Sequence, residues 1–216
     1  MRQYYDFAAG KWQPKDFEYV YSPVCRTYPR FQQWPDGIGN GTCDEGEGFE
    51  YISMVTKATY PRGIRIRMTC EFASFGAPLI VISGDIRHDT SAGVLRYGLH
   101  HEFVLYEGGC NIWRIVPWPE RTERPIYTIK AAYIQKPVPA GQRAELTVEV
   151  RERQIQAFLN GESCGHFTPE LPEQLHVGIT ACEGINRFYD LTIESLQRLS
   201  LKGEDAVCLF DVPLKL

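Results

Sequence analysis

The chain of 216 residues carries 23 Lys and Arg against 27 Asp and Glu, a formal net charge of −4. Its 44% hydrophobic and 23% charged content is that of a globular domain and excludes a disordered or collagen-like chain. No block of like charges forms a stripe that could follow a phosphate backbone, so nucleic acid is not an expected partner. The length fits one domain over residues 1–216.

The N-terminal segment and the cysteines bear on the compartment. Asp6 and two tyrosines interrupt the first ten residues, where a secretory signal would need an apolar stretch. The longest apolar run, 77–82, is far shorter than the roughly 20 residues that cross a bilayer. Seven cysteines stand singly at wide spacings, as free thiols do. We therefore expect a cytoplasmic protein with no membrane partner.

The segment Thr27–Gly48 is rich in Gly, Pro and aromatic residues and is predicted to be a long loop. An acidic cluster, Asp44–Glu50, overlaps its end and is interpreted as solvated, with calcium binding as the alternative. The chain has no C-x-x-C pair, Walker lysine, H-E-x-x-H or complete dinucleotide fingerprint. No metal or cofactor is expected.

Strands dominate the next part of the chain. Apolar residues alternate with polar ones from Ile64 to Phe72, the period of a strand with one wet face. Pro78–Ile82 is apolar throughout and is predicted to be a buried strand.

Two further runs, His100–Tyr106 and Cys110–Val116, predict a hairpin with a three-residue loop. That loop places Glu102 opposite Arg114 and Phe103 opposite Trp113. A slip of one residue would exchange the two faces of the hairpin. The proline-rich segment Pro117–Gly141 that follows is predicted to be a second long loop.

Residues 144–167 predict a three-strand meander. A two-residue loop at Arg151–Glu152 places Leu146 opposite Ala157 and Val148 opposite Ile155, on one face. The other face is predicted to be solvated and receives the polar residues Glu145, Thr147, Glu149, Gln154 and Gln156. Asn160-Gly161 is the dipeptide of a type I′ turn.

The C-terminal part adds the predicted strands Leu175–Cys182 and Arg187–Ser195, separated by a turn at Glu183–Asn186. Asp190–Lys202 is the best helical candidate. The total of roughly ten to thirteen strands is too many for one flat sheet. We predict an all-β, two-sheet antiparallel β-sandwich of the jelly-roll type.

Four segments carry a family resemblance: Leu146–Val150, Ile155–Gly161 with its L-N-G turn, the V-G-I of His176–Ile179, and Phe188–Ile193. Together they resemble the C-terminal half of the concanavalin A-like lectin/glucanase superfamily, which includes laminin G-like jelly rolls. The resemblance is concentrated in residues 144–195 and implies the sandwich fold. That superfamily includes lectins, glycosidases, polysaccharide lyases and interaction modules, so fold alone leaves the function open.

The glycosidases of this superfamily often carry E-x-D-x-x-E on one strand, and the chain has no such motif. The leading catalytic candidates are Glu102 and His100, with Arg114 as an anion-binding partner on the same face. The alternative is that Glu102 and Arg114 form only a cross-strand salt bridge.

Sugar recognition uses an aromatic ring beside planar polar side chains. Trp113 is also explained as a core residue facing Phe103, whereas Trp34 and Trp118 fall in the predicted loops. The substrate-binding candidates are Arg114, Trp113, Asn111, Tyr97, Trp34, Trp118 and His88, with Asp85 and Arg87 as further polar partners.

These patterns predict a carbohydrate- or glycoside-binding protein that uses the concave face of the sandwich. One alternative is a glycoside hydrolase or lyase, and another is a non-catalytic subunit of a larger complex. The expected partner is a saccharide, and the sequence is compatible with a homo-oligomer.

Overall fold

A computed structural model describes residues 1–40, 51–121 and 124–196, apart from the side chains of Ser74, Phe75 and Tyr133. The strands are β1 (Arg2–Asp6), β2 (Phe17–Tyr21), β3 (Gln32–Trp34), β4 (Gly37–Gly39), β5 (Tyr51–Thr56), β6 (Tyr60–Pro61), β7 (Ile64–Ser83), β8 (Ile86–Asp89), β9 (Val94–Tyr97), β10 (His100–Tyr106), β11 (Gly109–Pro117), β12 (Ile126–Gln135), β13 (Ala144–Val150), β14 (Ile155–Leu159), β15 (Glu162–Phe167) and β16 (Gln174–Ser195). A single 3₁₀ turn at Pro14–Asp16 is the one helical segment in these described ranges, and it is too short to span a membrane.

The fold is the predicted antiparallel β-sandwich. Strands β7 and β16 pair with each other from end to end and pass through both layers. The first layer has the order β15-β14-β13-β7-β16-β1, and the second has β12-β11-β10-β7-β16-β5-β2. One parallel pair, β2 with β9, attaches the β8–β9 hairpin to the second layer.

The main core lies between the layers and follows the predicted alternation. Ile64, Ile66 and Met68 of β7 are at most 1% exposed, and the residues between them are half-buried. A second apolar cluster, which includes Val20 and Leu79, packs on the outer face of the second layer. The second layer is therefore covered on both faces over part of its area.

The meander is confirmed in its faces and corrected in its register. Val148 and Ile155 both lie in the core, and Asn160-Gly161 has the positive φ angles of the predicted turn, 50° and 80°. Val150 pairs with Ile155, so the loop has four residues rather than two. The shift of two residues preserves the faces, because the side chains of a strand alternate with a period of two.

Two residues of the predicted solvated face are buried, Thr147 at 7% exposed and Glu149, so the wet-face prediction is wrong for both. Glu149 is 4% exposed, because Arg65 and Arg151 hold its two carboxylate oxygens at 2.6 Å and 2.7 Å. Burial acts to raise the pKa of Glu149, and the hydrogen bonds from the two arginines outweigh it, so that the pKa is lowered. The wet-face prediction for Glu149 is wrong for this reason.

The hairpin of β10 and β11 is present, but its predicted register is wrong by one residue. Glu102 pairs with Trp113, and Phe103 pairs with Ile112. The cause is Gly109, which joins β11 at φ 137° and leaves a loop of two residues. A side chain at Gly109 would overlap the carbonyl oxygen of Ile134 on β12, so only glycine allows this close approach.

Other expectations are corrected by the strand bounds. The predicted loop Thr27–Gly48 contains β3 and β4, and the predicted loop Pro117–Gly141 contains β12. The two C-terminal strands are one strand, β16, with bulges near Gly184. The helical candidate Asp190–Lys202 is wrong as far as Ser195, because β16 continues to that residue. Its remainder from 197 and the acidic cluster at 44–50 lie outside the described residues.

Candidate functional site

A cavity of about 820 Å³ opens on the outer face of the second layer, opposite the main core. Its floor is formed by β10, β11 and β12 with the adjacent parts of β7 and β5. The segment Ser22–Thr27 lines one side as a wall. A cavity of this volume is in the range of small-molecule sites.

Strand alternation explains which side chains reach the floor. Glu102 pairs with Trp113, and Val104 pairs with Asn111, so these four side chains share one face of neighbouring strands. All four line the cavity. The floor therefore combines an indole ring, an amide and a carboxylate.

Glu102 is 9% exposed and is held by two side chains. The hydroxyl of Tyr51 donates a hydrogen bond of 2.8 Å to Oε1, and Nε2 of His100 lies 3.4 Å from the same oxygen. Both contacts use Oε1.

His100 lies on the same face of β10 as Glu102, but it is 1% exposed and does not line the cavity. Its Nδ1 lies 2.8 Å from the carbonyl oxygen of Gly98, which can only accept, so Nδ1 carries a proton. Because a carboxylate oxygen can only accept, the 3.4 Å contact between Nε2 and Oε1 of Glu102 is favourable only when Nε2 carries a proton as well. Nε2 is buried and has no hydrogen-bond partner within the described part of the chain.

The ring of Tyr97 packs against His100, and its hydroxyl group is anchored by two further hydroxyl groups. The Tyr97 ring lies 4.6 Å from the His100 ring, and its hydroxyl is 2.6 Å from Ser53 Oγ. Ser53 in turn lies 2.6 Å from Thr180 Oγ1. Because Tyr97 is 1% exposed, it supports the floor and does not line the cavity.

The charge of Glu102 contributes to the raised pKa values of neighbouring groups. Burial first, and the Glu102 charge second, raise the pKa of Tyr51 and of Cys182 well above their ordinary values. The pKa of Cys25 is raised to about 11, chiefly by burial, with a smaller contribution from Glu102. These groups are uncharged at neutral pH, so they do not neutralise the carboxylate.

Two cationic side chains position the wall segment Ser22–Thr27 and the indole of Trp113. Arg96 donates to the carbonyl oxygens of Ser22 at 2.9 Å and Cys25 at 3.2 Å, which fixes the wall segment on β9. The ammonium of Lys130 lies 4.8 Å from the centre of the Trp113 ring. Cation–π contact on one side holds the ring in place beside the cavity.

The predicted site residues are partly brought together. Glu102, Trp113 and Asn111 line the cavity, and Trp113 faces Glu102 instead of the predicted Phe103. Arg114 is displaced to the opposite face by the register correction and pairs with His101, so the predicted Glu102–Arg114 pair does not form.

The remaining candidates lie elsewhere. Trp34 packs under Arg187 near β4, with 5.1 Å between the guanidinium carbon and the ring centre. Trp118 is exposed beside Tyr127 on the β11–β12 connection, outside the lining. His88 is exposed on β8, and the neighbouring Asp85 and Arg87 form a surface ion pair of 2.6 Å.

Sequence reasoning missed several lining residues. Tyr51 lies on β5, and Arg26 and Cys25 lie in a segment without periodicity. No local pattern connects them to β10, because the sheet order joins β5 to β10 only through β16 and β7. Arg124 and Ile126 fall in the predicted loop Pro117–Gly141, although the β-branched and aromatic residues of Ile126–Ile129 are typical of a strand.

The described ranges contain no group of three or more His, Cys, Asp or Glu side chains arranged to hold a metal ion. The five cysteines in the described residues, Cys25, Cys70, Cys110, Cys164 and Cys182, are free thiols. Cys43 and Cys208 lie outside those residues.

The architecture is that of the concanavalin A-like jelly rolls, as the sequence resemblance implied. The CBM66 carbohydrate-binding module from Bacillus subtilis is similar with a TM-score of 0.57 and 9% identity, over 83% of this chain and 96% of that one. β-Agarase A in complex with oligoagarose is similar with a TM-score of 0.59 and 8% identity, over 89% and 92%.

The exoplasmic/lumenal domain of VIP36, bound to Ca²⁺ and Man3GlcNAc, is also similar, with a TM-score of 0.57 and 10% identity over 89% of each chain. No protein-family model and no curated protein matches the sequence. At these identities the similarity shows the fold alone.

Proposed function

We propose that this protein binds a saccharide in the cavity on the outer face of the second layer. The observation that carries the proposal is the pairing of Glu102 with Trp113 on the cavity floor. An indole offers an apolar surface to a sugar ring, and a carboxylate oxygen beside it accepts hydrogen bonds from the hydroxyl groups at the ring edge. Saccharide complexes and binding modules among the similar folds support the same ligand class.

Hydrolysis is the second candidate, because Glu102 brings a titratable group to the cavity and His100 lies 3.4 Å from its carboxylate. A glycosidase needs two carboxyl groups about 5 to 9.5 Å apart. The lining has two other carboxylates, Glu107 and Glu183. Glu107 follows Glu102 by five positions, roughly 16 Å along an extended chain. Glu183 likewise follows by five positions the β16 residue Gly178, which is level with Glu102 through Val81 of β7. The floor therefore fits binding better than hydrolysis.

A glycan array followed by calorimetry on the hits tests the proposal. Trp113→Ala removes the platform and should weaken binding at least tenfold, while Trp118→Ala, outside the cavity, should leave the affinity within about twofold. Absence of binding across the array, or equal effects of the two variants, would contradict the proposal. Product formation from any glycoside that Glu102→Gln abolishes would favour the hydrolase instead.

A further inference from the structure

Two of the free thiols, Cys110 and Cys164, meet in the main core although they belong to different layers. Cys110 lies on β11 in the second layer, and Cys164 lies on β15 at the edge of the first. Their exposed fractions are 0% and 1%. The thiol of Cys110 donates a hydrogen bond to the sulfur of Cys164, so the two side chains are in contact.

The two layers come together at this point along β12 and β15. Cys110 pairs with Ile134 of β12, and Cδ1 of Ile134 lies 3.8 Å from the position of a Cβ atom added to Gly165 on β15. Two positions further along β12, the ammonium of Lys136 forms an ion pair with Glu162 of β15. These contacts flank the two thiols and hold the strands together where the sulfur atoms meet.

A β-bulge directs the side chain of Cys164. In the pairing of β14 with β15, Ala157 is opposite Gly165 and Phe158 is opposite Ser163, so Cys164 is the extra residue of the bulge. Bulges change the direction of a side chain, and here the thiol is buried while Ser163 and Gly165 are exposed. Cys164 is therefore a core thiol on an edge strand, with solvent at both neighbouring residues.

The surroundings make Cys164 the more acidic of the two thiols. The hydrogen bond from Cys110 lowers the pKa of Cys164, burial opposes this effect, and the positive charge of Lys136 lowers the pKa further. The same hydrogen bond and burial raise the pKa of Cys110. Because the thiolate is the nucleophile, Cys164 is the thiol that reacts first.

We propose that Cys110 and Cys164 form an oxidisable dithiol site, which a small peroxide converts into a disulfide between the two layers. With hydrogen peroxide, the Cys164 thiolate attacks one oxygen, forms an S–O bond and breaks the O–O bond, and the hydroxide that leaves takes a proton to become water. The Cys110 sulfur then attacks the sulfenic acid of Cys164 and forms the S–S bond, and the departing hydroxide takes the Cys110 proton as a second water. Two thiols lose two electrons, and one peroxide becomes two waters.

The fold allows the bond and gives it a consequence. In the described ranges β15 pairs with β14 alone, so it can make the small movement that brings the sulfur atoms to the bonded distance of about 2 Å. The disulfide closes a loop of more than fifty residues and should therefore stabilise the fold. Cys110 faces the core while its neighbour Asn111 lines the cavity, so the bond forms away from the saccharide site.

The test uses the full chain carrying Cys43→Ser and Cys208→Ser, which leaves the five cysteines of the described residues. Hydrogen peroxide should lower the number of titratable thiols from five to three, and peptide mass spectrometry should find one disulfide, between Cys110 and Cys164. The melting temperature should rise by about 5 °C or more, and dithiothreitol should reverse both changes.

Matched variants locate the two roles. Cys110→Ala should stop the reaction at the sulfenic acid of Cys164, which dimedone labels, whereas Cys70→Ala, at another fully buried core cysteine, should still form the disulfide. Lys136→Gln should slow the oxidation by about threefold or more, because it removes the charge that favours the thiolate. Lys57→Gln, at an exposed position, should leave the rate unchanged.

The inference would be overturned if the folded protein kept all five thiols at peroxide concentrations that oxidise the denatured chain. A disulfide that uses a different cysteine, or a sulfenic acid that persists in the presence of Cys110, would overturn it as well. Sugar binding is measured separately, so none of these results decides the saccharide-binding function.

Discussion

The hydroxyl of Tyr51 lies 2.8 Å from Oε1 of Glu102, although the two strands that carry them, β5 and β10, are separated by β16 and β7. The bond crosses the face of the second layer and orients the carboxylate from the side. It makes a residue far away in sequence part of the cavity floor.

Tyr51→Phe should therefore lower the free energy of unfolding by about 1 to 3 kcal/mol, because it leaves a buried carboxylate oxygen without its donor. Urea denaturation measures the change. Tyr4→Phe, at a tyrosine that is 58% exposed, should change it by less than about 0.5 kcal/mol. Equal effects of the two variants would mean that the Tyr51 bond does not form.

The wall of the cavity depends on the planar fork of Arg96. Nη1 of Arg96 donates to both carbonyl oxygens, of Ser22 and Cys25, while Nε and Nη2 donate to Asp89 and Tyr28. Arg96→Lys keeps the charge but has a single nitrogen that cannot make all four contacts. We expect ligand affinity to fall by about threefold to tenfold with a small change in melting temperature. Arg62→Lys, on the surface of the molecule, serves as the control. An unchanged affinity would show that the wall does not contact the ligand.

The core of the first layer gives a test of the meander faces. Val148→Asp places an unpaired charge among residues that are fully buried and should cost several kcal/mol. Gln156→Asp, on the opposite face of β14, should cost less than about 1 kcal/mol. Thermal melts of the two variants decide the faces, and the reverse order of severity would invert them.

From the ion pairs of Glu149 we predict that the free energy of unfolding depends on pH in the acid range. Its pKa is lowered in the folded state, so its contribution is present above the unfolded value near 4.3 and is lost as the pH falls through the folded value. Glu149→Gln should lower stability at pH 7 by about 2 kcal/mol and reduce the loss on acidification. Glu145→Gln on the same face is the comparison, and a wild-type acid profile in Glu149→Gln would contradict the ion-pair assignment.

His101 should affect the stability of the fold over a different range of pH. Burial, followed by the charges of His100 and Arg114, lowers its pKa to about 4 from an ordinary value near 6.5. Between these values the unfolded chain binds more protons, so stability should rise with pH across that interval. His101→Leu removes the titrating group and should therefore flatten the rise. The neighbouring ring of Phe167 provides an apolar contact for the leucine. Urea denaturation at pH 4.5 and 7 measures the slope, and an unaltered slope would assign it to another group.

Sequence patterns predicted the fold well, because alternation along β7 and β13 records which side of each strand is buried. They failed at the β10–β11 hairpin, where one glycine changes the number of residues in the loop. Gly109 enters the ladder of β11 and thereby moves Arg114 to the face opposite Glu102. Nothing in the residue types of Glu107–Gly109 distinguishes a two-residue from a three-residue loop, since the deciding contact is with β12.

The site was half predictable for a related reason. Glu102 and Trp113 lie on one hairpin, so their pairing depends on local register. Tyr51 and the wall segment Ser22–Thr27 reach the cavity through sheet order, which is a property of the whole fold. A site whose residues come from distant strands has no characteristic spacing in the sequence.

The cavity floor and the main core are built on the same two strands, β7 and β16, which both layers share. Along β7, Leu79 and Val81 lie under the cavity side, while Ile80 and Ile82 point into the main core. Because both layers contain β7 and β16, we expect the floor and the main core to unfold together. A ligand seated on the floor will therefore raise the melting temperature of the entire sandwich by mass action, and any sugar can be screened by heating the unlabelled protein.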